Sequence, residues 1–308
     1  GCYITRNNSN GSGANDQNPN GQYKGTFYFA NNVSYGNGLN GLVVHKTNNS
    51  IVANNTIFEN GEIPTNINTT YVTASDLDER SLQVVKDGVN NAQQYLGNYG
   101  PLKVFIIGSD VDAANILAKE FCEWTYEGKK QIDSCFNEDQ GNEIRELAEN
   151  KSQSAFAESD GRRRSSPTQS FVIGNPPFGD PNDNGGFVVA AHEYTHTYQH
   201  AHISDENDGI PNWLEEGSAQ LLATFLAGDH EDYLNDSVKI ARELRENHPG
   251  LTIKDLENDK TSEKLQEDCQ KCYWRLQSET GSLATVLLIN QTSMDYFFKE
   301  YIPSIFYL

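Results

Sequence analysis

The sequence predicts an α+β chain in two parts. Short β rungs of a solenoid occupy residues 1–62, and a mainly α-helical domain with a small sheet occupies 63–308. Three observations predict this. An Asn-Gly rhythm with a fixed period fills the first part and stops around Gly61-Glu62-Ile63-Pro64. Apolar residues then recur at helical spacing through most of the remaining chain. Two short apolar runs, Leu102 to Gly108 and Ser170 to Gly174, interrupt that helical pattern as strands.

The rungs are read from three segments that align: Ile4-Thr5-Arg6-Asn7-Asn8, Phe29-Ala30-Asn31-Asn32-Val33 and Val52-Ala53-Asn54-Asn55-Thr56. Their Asn pairs are 24 and 23 residues apart. Asn37-Gly38 and Asn60-Gly61 follow the second and third pairs at one offset, and Gly41-Leu42-Val43-Val44-His45 is a short strand pattern between them. A period in the low twenties, with short β runs and Asn-Gly turns, means a solenoid. The stretch resembles the last turns of a right-handed parallel β-helix, as in polysaccharide lyases and related surface proteins. That resemblance implies a polysaccharide or cell-surface glycan as a partner. Residue 1 lies inside the repeat, so earlier rungs are expected before it.

The helical domain reads in order. Asp76 to Tyr95 has apolar residues at helical spacing, with Ser75 or Asp76 as cap. Gly97 and Gly100-Pro101 stop it. The first strand follows, then a helix from Asp112 to Trp124 and an exposed charged helix from Glu138 to Ser152. Ala157 to Ser170 reads as a polar loop carrying Arg162-Arg163-Arg164. After the second strand come helices at Phe187 to His202, Asn212 to Leu226, 232–246, 273–289 and 293–300.

Composition excludes some functions. The formal net charge is −20 and the pI about 4.6, so the chain has no net attraction for nucleic acid or an anionic membrane surface. No stretch is long and apolar enough to span a bilayer. Of five cysteines, Cys122 and Cys135 are spaced for one loop bridge, Cys269 and Cys272 form a CxxC, and Cys2 is left over. This pattern is compatible with an extracellular or cell-surface location. The CxxC lacks a second metal pair, so a local disulfide or free thiols are expected there rather than a zinc site.

His192-Glu193-Tyr194-Thr195-His196 is the motif that points to chemistry. On a helix, His192 and His196 lie one turn apart on one face, where two imidazoles can hold one Zn²⁺. Glu193 sits beside them, placed to act on a metal-bound water as general base. Catalytic zinc takes three protein ligands and keeps a position open. The next helix offers Glu216, 20 residues after His196, with Glu215 as the alternative.

The pair HEYTH and WLEEGSA resembles the gluzincin metallopeptidases, the thermolysin and aminopeptidase-like clan. The resemblance implies a zincin-like peptidase fold and a peptide or protein substrate; no motif for holding a free substrate N-terminus is evident, so endopeptidase action is expected. It carries His192, His196 and Glu216 over as zinc ligands and Glu193 as the catalytic base. It also implies that Phe171, Val172, Ile173 and Gly174 form an edge strand that pairs with the substrate backbone. Relatives place an Asp four residues after the ligand Glu; here Gln220 stands there, with an amide oxygen that can accept the same N–H. Tyr273 is the candidate for stabilising the oxyanion, with Tyr198 and His200 behind it.

Calcium is a further candidate ion. Asp180-Pro181-Asn182-Asp183-Asn184-Gly185 matches the first half of a calcium loop but lacks its closing Glu, and Ser204 to Gly209 is a looser version. The alternatives to an active peptidase are a β-helix carbohydrate-binding or adhesion protein, and a peptidase-like domain that only binds.

Overall fold

The computed structural model describes seven strands within 1–58 and residues 69–159, 169–176, 184–202, 211–257 and 259–305. The chain divides into two units, Gly1–Asn66 and Ile67–Leu308.

In the first unit the strands are β1 (Tyr3–Thr5), β2 (Gly13–Asn15), β3 (Tyr23–Ala30), β4 (Val33–Tyr35), β5 (Val43–His45), β6 (Thr47–Ala53) and β7 (Thr56–Phe58). All their pairings are parallel: β1 with β4, β4 with β7, β2 with β5 and β3 with β6. Phe29 lies beside Val52 and Ala30 beside Ala53, matching the alignment of the second and third segments. The first segment is displaced from its expected partner. Ile4 pairs with Ser34 and Thr5 with Tyr35, so β1 joins β4 and not β3. The Asn-Gly turns and Cys2 lie outside the described residues.

The second unit is mostly helical around one mixed sheet. Its strands are β8 (Thr70–Thr73), β9 (Leu102–Ile107), β10 (Ala155–Ser159) and β11 (Gln169–Gly174). Their order is β10-β11-β9-β8, with only β10 antiparallel. The expected edge strand is therefore internal. Phe171, Val172, Ile173 and Gly174 pair with β10 on one side and β9 on the other. Phe171, Val172 and Ile173 are fully buried. The edges among the described strands are β8 and β10, and β10 falls partly in the stretch read as a polar loop.

The first helix, α1 (Glu79–Leu96), starts later than expected. Asp78 caps it, accepting from the Ser81 N–H at 2.8 Å. Asp76 instead accepts from the Ser109 and Asp110 N–H groups at 2.7 and 3.0 Å, tying the turn after β8 to the turn after β9. After α2 (Val111–Thr125) comes a helix that was not expected, α3 (Lys129–Asn137), and the expected charged helix is α4 (Gln140–Glu149). It is not wholly exposed: Ile144, Leu147 and Ala148 pack with Phe105, Phe121 and Val172 over one face of the sheet. The Cys122–Cys135 disulfide joins α2 to α3 in that layer.

On the opposite face lies α5 (Gly185–His202), beside β10 and β11 and packed on α1. Buried side chains point from nearly all sides of α5, so it is the central helix of the unit. Tyr194, in the middle of the His motif, anchors it. Its hydroxyl donates to the Gly97 carbonyl at 2.6 Å and accepts from the Tyr99 N–H at 2.9 Å. Next come α6 (Asn212–Ala227), α7 (His230–Asn247), α8 (Asp259–Asp268) and α9 (Gln270–Arg275). A π turn (Leu276–Thr280) leads into α10 (Gly281–Ile289), and a short irregular helical segment closes the unit.

Two close approaches position the helices that carry the motif. A Cβ on Gly88 of α1 would lie 2.5 Å from the Phe187 carbonyl oxygen and 2.8 Å from Ala190 Cβ of α5. On α6, a Cβ on Gly217 would strike the backbone of Gly281 and Ser282, and Ser282 Oγ donates to the Gly217 carbonyl at 2.9 Å. Glycine is required in both places by space alone. Ala at an ordinary helix position gains about 1 kcal/mol over Gly. At Gly88 the sign reverses: Gly88→Ala should lose about 1–3 kcal/mol through overpacking. Equilibrium denaturation checks this, and a variant as stable as the parent would refute the close packing.

Candidate metal centre

The two histidines and Glu216 come together as their spacing implies. His192 Nε2 lies 2.9 Å from His196 Nε2. Glu216 Oε2, on α6, lies 3.3 Å from His192 Nε2 and 3.6 Å from His196 Nε2. His196 is buried, while the side chains of His192 and Glu216 remain 13% and 28% exposed, so the cluster opens to solvent on one side.

The other ring nitrogens define the chemistry. His192 Nδ1 is 3.0 Å from Gln220 Oε1. His196 Nδ1 is 2.7 Å from Gln199 Oε1. The Gln199 amide is oriented by its own donations, from Nε2 to the Glu215 carbonyl and to Ser218 Oγ, both at 3.0 Å. Its oxygen therefore faces the imidazole. An amide oxygen only accepts, so each Nδ1 carries the proton and each Nε2 presents a lone pair to the centre. Two lone pairs and a carboxylate oxygen then meet within hydrogen-bond range of one another. Such a set repels itself unless a cation sits among them. Two imidazoles, a carboxylate and an open side fit a zinc ion with three protein ligands.

The proton affinities carry the same signature. Burial lowers the proton affinity of His196, but the carboxylates of Glu216, Glu193 and Glu215 together outweigh it and lift the pKa to about 10. Burial raises Glu216, but the two imidazoles hold it well below the usual carboxylate range. The site thus favours positive charge between these groups.

Glu193 is buried at 5% exposure, and its Oε2 has no hydrogen-bond partner among the described residues. Burial holds its carboxyl above the usual range, against the pull of His192 and His196. Glu215 is engaged elsewhere. Its Oε1 lies 3.6 Å from Nε2 of His200, one turn beyond His196, so Glu216 is the carboxylate placed against the two imidazoles.

Gln220 takes the place expected for it. Gln199 was not anticipated, although its i+3 spacing from His196 on the same helix face was a usable signal. The oxyanion candidates are placed differently. Tyr273 on α9 packs with Leu256 and Leu276 against Trp213, and its hydroxyl accepts from Asn212 Nδ2 at 3.5 Å. Tyr198 is in the core, donating to the Phe298 carbonyl. Asn184 of the first acidic loop donates to Asp229 at 2.8 Å. The remaining calcium-loop residues Asp180, Asn182 and Asp183, the 204–209 segment and Arg162-Arg163-Arg164 lie outside the described residues. No described helix is long and apolar enough to cross a membrane. No family model, curated protein or solved structure matches the chain.

Replacing Gln199 or Gln220 by Leu should weaken zinc binding by about 10- to 100-fold each, because the imidazoles lose the groups that fix their tautomer. Competition with a chelator of known affinity measures it, and unchanged affinity in both variants would refute the tautomer argument.

Proposed function

We propose that the second unit is a zinc-dependent peptidase of gluzincin type that cuts peptide bonds within a chain. The observation that carries this reading is the convergence of His192 Nε2, His196 Nε2 and Glu216 Oε2 beside a buried carboxylate, Glu193, with an unpartnered oxygen. When bound there, zinc supplies a Lewis acid that polarises a carbonyl and brings the pKa of a water toward neutrality. Glu193 takes the proton from the attacking water and returns it to the leaving amine. Its burial suits that task, since a carboxyl with raised proton affinity both accepts and carries the proton. Gln199 and Gln220 hold the imidazoles in the ligating tautomer. The substrate backbone pairs with the free edge of β10, the strand beside α5, rather than with Phe171 to Gly174.

The first unit is read as the terminal rungs of a right-handed parallel β-helix. Its support is that every strand pairing among the described residues there is parallel, and that β3 with β6 and β4 with β7 keep the register of the Asn repeat. A polysaccharide or cell-surface glycan is the partner class this architecture implies. Two disulfides in the second unit support an extracellular or cell-surface location.

Zinc-loaded protein should cleave a mixed peptide library, with cleavage abolished by a chelator and restored by zinc. Glu193→Gln should bind zinc as the parent does and lose about 100- to 10,000-fold in turnover. Mass spectrometry of the products reads the cut sites. No cleavage at full zinc occupancy would overturn the peptidase reading in favour of a domain that only binds.

A further inference from the structure

A second cluster of metal-ligating atoms lies away from the His motif. The segment between α7 and α9, which includes α8, returns the chain so that His248, the residue that closes α7, meets the CxxC at the start of α9. His248 Nε2 is 3.3 Å from Cys272 Sγ. The donor atoms of His248, Cys269 and Cys272 all lie within 4.8 Å of one another. An ion pair, Arg275 with Glu243 at 3.2 Å, links α9 to α7 and holds the two parts together. Cys269 and Cys272 are joined as a disulfide.

This disulfide differs from the other one in two ways. Cys122 and Cys135 are sealed in the core, at 0% and 1% exposure, whereas His248 is exposed and Cys269 half-buried. The CxxC bridge spans a separation of 3 residues against 13, so it restrains the unfolded chain less and does less as a staple. Cys272 is buried at 4% exposure, so the bridge is reached from the Cys269 side, and its short loop makes it the weaker restraint.

We propose that Cys269, Cys272 and His248 form a redox-gated site for a soft or borderline divalent cation such as Zn²⁺. A dithiol reductant opens it. One thiolate of the reductant attacks the accessible sulfur of Cys269 and displaces Cys272 as a thiolate beside His248. The second reductant thiol then closes on the mixed disulfide and releases Cys269. Two electrons pass to the protein, and the reductant leaves as its cyclic disulfide. The cation then displaces the remaining thiol protons and takes two sulfurs and one imidazole nitrogen, with a fourth position left for water. Two thiolates and an imidazole select zinc-like ions over hard cations such as Ca²⁺ and Mg²⁺. In the oxidised protein the same sulfurs are covalently paired and the site is closed.

Cobalt(II) titration of the whole protein tests this independently of the peptidase reading. Thiolate-to-cobalt charge-transfer absorption reports sulfur ligation and is silent for the His192–His196–Glu216 cluster. The oxidised protein should show none. After mild dithiol treatment, two further thiols should titrate and one further equivalent of cobalt should bind with that absorption. Cys272→Ser should abolish the absorption. His248→Ala, a surface change, should leave the two thiols titratable and weaken the sulfur-bound cobalt by about tenfold or more, at least what loss of a group outside the ligand shell costs. Reduction without charge-transfer absorption would overturn the site. Unchanged affinity in the His248→Ala variant would overturn the role of the imidazole.

Discussion

Three acceptor atoms crowded at one point set the terms for the rest of the second unit. His192 Nε2, His196 Nε2 and Glu216 Oε2 lie within 3.6 Å of one another, in a place that water reaches from one side only. Left without a cation, like-signed lone pairs at that range repel, and partial burial removes the solvent that would screen them. The surrounding chain maintains the arrangement. Gln199 and Gln220 accept from each Nδ1 and so commit both Nε2 atoms to the centre. A group that accepted poorly, or a hydrocarbon, would let the tautomers exchange, and the centre would lose its set of acceptors.

Holding two helices at that separation is a packing problem, and the scaffold solves it with glycine and tyrosine. Gly88 lets α1 lie against α5, and Gly217 lets α10 lie against α6, each at a distance that excludes a Cβ. Tyr194 fixes α5 axially by bonding both sides of the turn at Gly97 and Tyr99. The sheet beneath contributes strands buried on both faces, so it cannot tilt without disturbing the layer that contains Phe105, Phe121 and Val172. Local sequence, helix packing and ligand geometry therefore point the same way, and the motif residues sit on the most constrained helix of the unit.

How much of this was legible in the sequence follows from the range of each signal. The His pair and Glu193 were readable because their geometry is set within one helical turn. Glu216 was readable as a class of residue, but its distinction from Glu215 depended on His200, a partner on another helix. Gln220 follows from the resemblance, as the residue four positions after Glu216, whereas Gln199, three positions after His196, needed only helix geometry. The error over Phe171 to Gly174 is instructive. A run of consecutive apolar residues describes a strand buried on both faces, which favours an internal position, whereas an edge strand more often alternates. The residues carried that information, and the expected edge role was imported from the resemblance instead. The edge strand beside it, β10, has a short and mixed composition (Ala155, Phe156, Ala157, Glu158, Ser159) that no period marks. For Tyr273 no spacing argument exists: its place just before a late helix does not say which side chains its ring packs against.

The two ligand clusters of the second unit also differ in how they are made, and the difference has a chemical consequence. His192, His196 and Glu216 offer nitrogen and oxygen from two long helices, so their geometry exists before any ion arrives. His248, Cys269 and Cys272 offer nitrogen and sulfur, from a helix end and a short turn whose sulfurs are bonded to each other. Ligand softness sorts metals, and so does the state of the ligands. On the proposed reading, an oxidising environment leaves the nitrogen and oxygen cluster as the one of these two that is open to an ion, and a reducing one adds a sulfur cluster that would compete for the same borderline ion. At limiting zinc the balance between them depends on redox poise, although the clusters share no ligand. The CxxC adjoins Tyr273, which packs on Trp213 and meets Asn212, both on the helix that carries Glu216. A change at the sulfur pair therefore has a short covalent and packed route to the third ligand of the first centre.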